Sequence, residues 1–127
     1  MLAIPISTQT STTISDLYGN VPFFALLDEA EGNFTVIENE EKGNGLAIAS
    51  FLTQYGVTST IFYHMGEGVY SSCMENNIEV YKATDKSNTI DEIFFKLSND
   101  DFIKLDKTNY KDLLDSGTTS CKCGCGK

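Results

Sequence analysis

The sequence contains no arginine, and it has no apolar run long enough to cross a membrane. All nine basic residues are lysines, against 18 acidic residues, so the formal net charge is −9. A chain of that charge repels phosphate backbones, and it lacks the planar guanidinium that binds phosphate through two hydrogen bonds. A bilayer span needs about 18–20 consecutive apolar residues. We therefore expect neither a nucleic acid nor a membrane as a partner.

A basic lead-in is absent from the apolar start of the chain, residues 1–6, so a secretory signal is not expected. This pattern predicts a cytoplasmic location. The length of 127 residues fits one domain with a sizeable core. We expect residues 1–107 to form this domain, and residues 108–127 to form a short helix followed by a flexible, cysteine-rich C-terminal tail.

Five apolar or β-branched segments predict strands, and three segments with apolar residues at helical spacing predict helices. The strands are expected at 2–6, 22–28, 33–39, 57–63 and 78–82, and the helices at 46–55, 68–76 and 89–97. Thr89 and Glu92 have the spacing of a capping box at the start of the third helix. Strand–helix–strand connections require parallel pairing, whereas a short turn joins the second and third strands as an antiparallel hairpin. The order predicts an α/β fold with a mixed five-stranded sheet flanked by helices.

Ligands of open α/β sheets bind beyond the carboxyl ends of the parallel strands. At that edge the sequence places the Ser7–Thr13 loop, the Tyr63–Gly66 segment and the loop after Lys82. His64 is the only histidine, and a neutral imidazole is a common metal ligand, although a histidine at a strand end is also commonly structural. The Ser7–Thr13 loop and the backbone amides near Gly66 and Gly68, where a helix begins, form a candidate anion site. Glu67 and the net charge of −9 oppose an anion there. An unliganded, hydroxyl-rich surface loop is the alternative at residues 7–13.

Three of the four cysteines lie in the C-terminal segment CKCGCGK, as Cys121, Cys123 and Cys125. Thiolates are the soft ligands of copper(I), zinc and iron–sulfur clusters, and the neighbouring lysines favour the thiolate form. A tetrahedral site needs a fourth ligand, from His64, a second chain, or a bound sulfide or water. The alternatives are thiol redox chemistry and a tail without a specific role whose cysteines pair as disulfides. Cys73 is predicted to be an inert core thiol.

Three segments of the sequence resemble one family: ISDLYGNVPFF (residues 14–24), the Gly43–Gly45 start of the first helix, and YHMGEGVYSSCMENNIEVY (residues 63–81). It is the dinitrogenase iron–molybdenum cofactor-binding family of NifX-like small proteins, and the resemblance covers about residues 1–97. Its strongest element is the frame S-x-x-Y/F-G-x-x-P-x-F, present as Ser15, Tyr18, Gly19, Pro22 and Phe24. The resemblance implies a ribonuclease-H-like sheet and the binding or carrying of metal–sulfur clusters.

The residues and the resemblance together define a candidate site. Cofactor binding is assigned to His64, Gly66 and Ser15, and metal ligation to Cys121, Cys123, Cys125 and His64. Family members often carry histidine where this chain has Leu17 and Asn20. Because leucine cannot ligate a metal, a cluster site that uses those imidazoles is lost here or has moved.

From these observations we expect a non-catalytic protein of nitrogenase cofactor biosynthesis, which binds or carries a cluster of iron–sulfur or iron–molybdenum type or its precursor. A cluster donor or acceptor protein is then the expected partner. The alternatives are a non-catalytic regulatory or interaction module with a redox-labile tail, and a small thiol oxidoreductase. A nuclease is not expected, because its two magnesium ions need carboxylates on the sheet and the first strand has none. No signature supports a cysteine–histidine hydrolase.

Overall fold

A computed structural model of the chain describes residues 1–83, 88–99, 102–106, 108–110 and 114. Its elements in chain order are β1 (Leu2–Ile6), β2 (Phe23–Asp28), β3 (Asn33–Glu38), α1 (Gly45–Thr53), β4 (Ser59–Phe62), α2 (Glu67–Glu75), β5 (Glu79–Lys82), α3 (Ile90–Ser98) and β6 (Ile103–Lys104). Each strand and helix predicted in residues 1–97 is present, with ends that differ by at most two residues. The short helix predicted within residues 108–127 lies largely outside the described residues, and the boundary after residue 107 stays a prediction.

The described strands form one six-stranded sheet in the order β3-β2-β1-β4-β5-β6. Strands β1, β4 and β5 are parallel, whereas β2 pairs antiparallel with β1 and β3, and β6 with β5. The predicted mixed α/β sheet is confirmed, but the count of five strands is wrong. The sequence pattern does not reveal β6, because its two residues are both exposed and too few to show an alternation. The ribonuclease-H-like motif stays a prediction.

Helices cover both faces of the sheet. Successive side chains of a strand point to opposite faces, so Ala3 of β1 packs with α1 and α2, while Leu2, Ile4 and Ile6 pack with α3. The core on the α1 and α2 side also contains Phe24, Ile48, Leu52, Phe62, Cys73 and Val80. The core on the other side contains Ala25, Leu27, Ile61 and Ile93. Since helices cover both faces, the ends of the parallel strands, where ligands of open α/β sheets usually bind, are the part of the sheet that stays accessible. No helix among the described residues is long and apolar enough to span a bilayer.

Pro5 lies inside the central strand β1 without interrupting the sheet. It is paired in register with Phe24 of β2, and its carbonyl accepts a hydrogen bond from the Ser15 amide at 2.7 Å. The nitrogen and carbonyl oxygen of one strand residue point to the same side, so the missing N–H of Pro5 faces the Ser15 loop and not β2. The proline therefore removes no hydrogen bond between β1 and β2.

Glycines let the first turns of α1 and α2 approach each other. A Cβ atom at Gly45 would lie 2.7 Å from Cγ2 of Val69, and a Cβ at Gly68 would lie 3.2 Å from Cδ2 of Leu46. The Leu46 side chain is 67% exposed and has room to move. Val69 is branched at Cβ and packs against the core, so it has much less freedom.

We expect Gly45→Ala to lower the free energy of unfolding by about 1–2 kcal/mol, because the added methyl group overpacks the contact with Val69. Gly68→Ala is the matched control, and its effect should stay below about 0.5 kcal/mol, since the gain in helix propensity offsets a contact that Leu46 can relieve. Denaturant unfolding followed by circular dichroism measures both variants. An equal loss in the two would show that the close approach at Gly45 is not a constraint.

Candidate functional site at the ends of the parallel strands

The carboxyl ends of β1, β4 and β5 lie at one edge of the sheet, because these strands are parallel. The segments that follow them are residues 7–13, residues 63–66 and the chain beyond Lys82, of which residues 84–87 lie outside the described part. We call residues 7–13, 63–66, 82–83 and 88–89 the strand-end site. The helix that follows β4 and the helix that follows β5 both start at this edge, with Gly66 and Thr89 as their N-cap residues.

His64 lies at this edge directly after β4, where the sequence analysis places it, and its side chain is exposed. Its ring is edge-on to the ring of Tyr63, with 4.6 Å between the ring centroids and 72° between the ring planes. The next residue, Met65, turns inward and packs in the core beneath α1 and α2. The chain is therefore anchored on both sides of His64, and the imidazole is left at the surface.

Lys82, which ends β5, is a residue of the strand-end site that the sequence does not predict. Its Nζ donates a hydrogen bond to the Tyr63 carbonyl at 2.6 Å, and it lies 5.0 Å from the ring centroids of both Phe62 and Tyr63. The ammonium group brings positive charge to the edge of an acidic protein. The sequence carries no signal for this contact, because Lys82 and Tyr63 are 19 positions apart and meet only where β4 and β5 pair.

Gly66 offers open space at the start of α2. Its backbone is extended, with φ −81° and ψ 161°, and a Cβ atom there would meet nothing within 4 Å. No side chain among the described residues caps the first turn of α2. The first amides of a helix favour an anion, although Glu67 adds a negative charge beside them. The geometry is thus compatible with the predicted role of Gly66, which stays a prediction.

The start of α3 differs, because its own side chains occupy it. The Glu92 amide donates to Thr89 Oγ1 at 3.1 Å, and the Thr89 amide donates to Glu92 Oε1 at 2.9 Å. This confirms the predicted capping box. The Ile90 amide also donates to the Thr12 carbonyl at 2.7 Å, which fastens the end of the 7–13 loop to α3. Of these two helix starts, the one at Gly66 is the more open to a ligand.

Ser15 is a buried residue with a structural use. Its amide donates to the Pro5 carbonyl, and its Oγ accepts a hydrogen bond from the Leu17 amide at 3.1 Å. These bonds hold the loop between β1 and β2 against the end of β1. The assignment of Ser15 to cofactor binding stays a prediction. Leu17, where the resemblance leads us to expect histidine in family members, is 49% exposed.

The cysteines fall into two groups. Cys73 is fully buried on the inner side of α2, and burial raises the pKa of its thiol to about 12, so the prediction of a buried core thiol is confirmed. The predicted ligands Cys121, Cys123 and Cys125 lie outside the described residues. Within the described residues, no three metal-ligating side chains lie together.

The chain that leads to those cysteines is anchored near the strand-end site. Tyr110 stacks on Tyr70, with centroids 5.1 Å apart, and Leu114 is buried in the same core. The Tyr70 amide donates to the Gly66 carbonyl, so the backbone of Tyr70 follows the start of α2 by one helical turn. Cys121 follows Leu114 by seven residues, which span at most about 25 Å.

Comparison with known proteins identifies the family. The family model described as dinitrogenase iron-molybdenum cofactor matches residues 1–99. The chain belongs to this family. The match confirms the resemblance drawn from residues 1–97, and it includes Ser15, His64, Gly66 and Lys82. It ends before the cysteine-rich segment, so membership in the dinitrogenase iron–molybdenum cofactor family does not explain those cysteines.

Solved structures share the fold. The apo form of the orange protein from Desulfovibrio gigas superimposes with a TM-score of 0.72 at 14% identity, covering 82% of this chain and 91% of that one. A Thermotoga protein assigned as NifB superimposes with a TM-score of 0.67 at 23% identity, with the same two coverages. At these identities the likeness shows the fold alone. No curated protein matches the chain.

Proposed function

We propose that this protein binds or carries a metal–sulfur cluster of iron–sulfur or iron–molybdenum type, or a precursor of one, during cofactor assembly. The family match over residues 1–99 carries the proposal, because the family is described by that cofactor. The structure adds an edge with an exposed imidazole, an open helix start and an ammonium group. A metal–sulfide cluster carries negative charge, which the helix amides and the ammonium group attract. It also contains metal ions, which the imidazole can ligate.

The proposal gives each candidate residue a role. Cys121, Cys123 and Cys125 ligate the metal as thiolates, and His64 completes or flanks the site at the edge. Gly66 leaves the first amides of α2 accessible to the sulfide face of the guest. Ser15 holds the loop between β1 and β2 in place, and it acts on the cofactor indirectly, by positioning that loop.

We further propose that the protein is not an enzyme and that it exchanges its guest with a cluster donor or acceptor protein in the cytoplasm. Three thiolates leave a tetrahedral metal with one position for an exchangeable ligand, which suits a carrier. The strand that a two-magnesium nuclease would use, β1, consists of five buried residues without a carboxylate. A regulatory or interaction module with a redox-labile tail is the competing function.

Anaerobic reconstitution of the full chain with iron and sulfide tests the proposal. We expect the chain to retain iron and acid-labile sulfide through gel filtration and to show sulfide-to-iron absorption. His64→Ala should retain the cluster but lose it about tenfold faster, which is the usual size of an effect on metal affinity. The matched control, Gln54→Ala, changes an exposed polar residue at the far end of α1 and should behave as the unchanged chain.

Three outcomes would contradict the proposed function or the proposed role of His64. A full chain that retains neither iron nor sulfide would remove the carrier function and favour the interaction module. Equal rates of cluster loss in His64→Ala and Gln54→Ala would remove His64 from the site while leaving the function in place. Rapid disulfide exchange without any metal uptake would instead favour a thiol oxidoreductase.

A further inference from the structure

We propose that Lys82 is a positioning residue, which orients the His64 imidazole by holding Tyr63. This inference rests on the proposed function, because it concerns the residue that meets the metal there. It starts from the contacts of Lys82 Nζ, which donates to the Tyr63 carbonyl at 2.6 Å and lies 5.0 Å from the Tyr63 ring centroid. The backbone and the ring of Tyr63 are thus held by the same ammonium group.

The backbone of Lys82 is itself fixed. It is paired with Phe62 in the parallel β4–β5 ladder and with Ile103 in the antiparallel β5–β6 ladder. Nζ also lies 5.0 Å from the Phe62 ring centroid, and Phe62 is fully buried. Ordering a lysine side chain costs rotamer entropy, and the hydrogen bond and the two ring contacts of Nζ together offset that cost. Lys82 can therefore hold Tyr63 from a rigid base.

The position of Tyr63 in turn determines the surroundings of His64. The Tyr63 ring is edge-on to the imidazole at 4.6 Å, and the buried Met65 fixes the chain on the other side. A histidine ligates a metal only along the lone pair of its nitrogen, so its ring orientation decides whether a site is complete. We call Lys82, Tyr63 and His64 the relay, because Lys82 holds Tyr63 in place and Tyr63 in turn orients the His64 imidazole. The imidazole is thus held in one orientation before a cluster binds.

Lys104 offers a matched comparison within the same sheet. Its Nζ pairs with Glu79 Oε2 at 2.9 Å, and both side chains are about half exposed, at 53% and 51%. This is an ordinary surface ion pair, at the end of the sheet opposite His64. Removing Lys104 changes the net charge of the protein by the same amount as removing Lys82, and it does not touch the relay.

Proton NMR of the cluster-free protein tests the relay directly, because a single histidine gives a single imidazole Hε1 resonance. We expect Lys82→Met to move this resonance in the same direction as Tyr63→Leu, since both remove the ring-current effect of an ordered Tyr63. In Lys82→Arg the imidazole resonance should stay close to its position in the unchanged chain, and in Lys104→Met it should stay at that position. An unchanged resonance in Lys82→Met, with a moved one in Tyr63→Leu, would overturn the proposal.

The rate of cluster loss gives a second readout. We expect Lys82→Met to release the cluster several-fold faster, and the double variant Lys82→Met/His64→Ala to release it no faster than His64→Ala alone, because one residue acts through the other. Additive effects would overturn the relay. If the full chain takes up no cluster, the proposed function fails, and the NMR comparison still decides the role of Lys82. If Lys82→Met does not fold, Lys82→Gln makes the same comparison, because it also removes the ammonium group, and its imidazole resonance should move as in Tyr63→Leu.

Discussion

The combined variant Cys121→Ser, Cys123→Ser and Cys125→Ser is expected to retain less than about one tenth of the metal bound by the unchanged chain. A serine hydroxyl stays protonated at neutral pH and is a poor ligand for soft metals, whereas a thiolate is a strong one. Metal and acid-labile sulfide are measured after anaerobic gel filtration. This is the largest effect that the account predicts, because it removes three ligands at once.

Cys73→Ala is the matched control for that experiment, because it removes one thiol from the body of the protein. Cys73 is fully buried, and burial raises the pKa of its thiol to about 12, so it is not a thiolate ligand at neutral pH. Its replacement should leave the metal content unchanged. A chain ending at Ser120 should behave as the triple serine variant. If the serine variant keeps its metal and the shortened chain loses it, the tail acts without its sulfur, and the proposed ligand set is wrong.

The second large effect concerns stability: we expect Thr60→Val to lower the free energy of unfolding by about 2–3 kcal/mol, although the two side chains have nearly the same shape. Thr60 is fully buried in β4, and its Oγ1 donates to the Ala3 carbonyl at 2.9 Å. Its single proton is used in that bond, so the Tyr18 hydroxyl donates to Oγ1 at 2.6 Å. Valine leaves the buried Tyr18 hydroxyl without an acceptor. Denaturant unfolding measures the loss.

Tyr18→Phe is the control, because it removes the same hydrogen bond from the other side. The Thr60 hydroxyl then keeps its bond to Ala3, and no donor is left unpaired, so the loss should be only about 1 kcal/mol. Burial raises the pKa of Tyr18 well above its ordinary value, which agrees with a phenol that stays protonated and donates. Equal losses of unfolding free energy in Thr60→Val and Tyr18→Phe would contradict the assignment of Tyr18 as the donor and Thr60 Oγ1 as the acceptor. Tyr18 belongs to the S-x-x-Y-G frame, so the bond joins the family's sequence frame to β1 and β4.

The elements that the sequence predicts well are those determined by neighbouring residues. The capping box at Thr89 depends on a residue three positions away. Asn77, after the end of α2, adopts a left-handed backbone with φ 59°, a conformation that asparagine tolerates. β6 escapes prediction because its two residues are strand only through their pairing with Tyr81 and Lys82. The alternation of apolar residues does not reveal a strand that forms only because it pairs with a neighbouring strand.

The candidate site also contains residues that depend on their chain neighbours and residues that depend on distant partners. His64 could be placed at the sheet edge because its position depends only on the strand that precedes it. Lys82 could not be found, because its contact with Tyr63 joins residues 19 positions apart and is visible only when β4 and β5 lie side by side. The bonds of Ser15 to Pro5 and Leu17 likewise follow from the path of a loop. The three C-terminal cysteines lie outside the described residues, so their ligand role remains a prediction.

Purification of the protein from its native host under strict exclusion of oxygen shows whether it carries a metal–sulfur cluster or its precursor. Elemental analysis, sulfide determination and the visible spectrum are recorded on the same sample. The account predicts a coloured protein that carries a transition metal together with inorganic sulfide. A colourless protein free of both would contradict it.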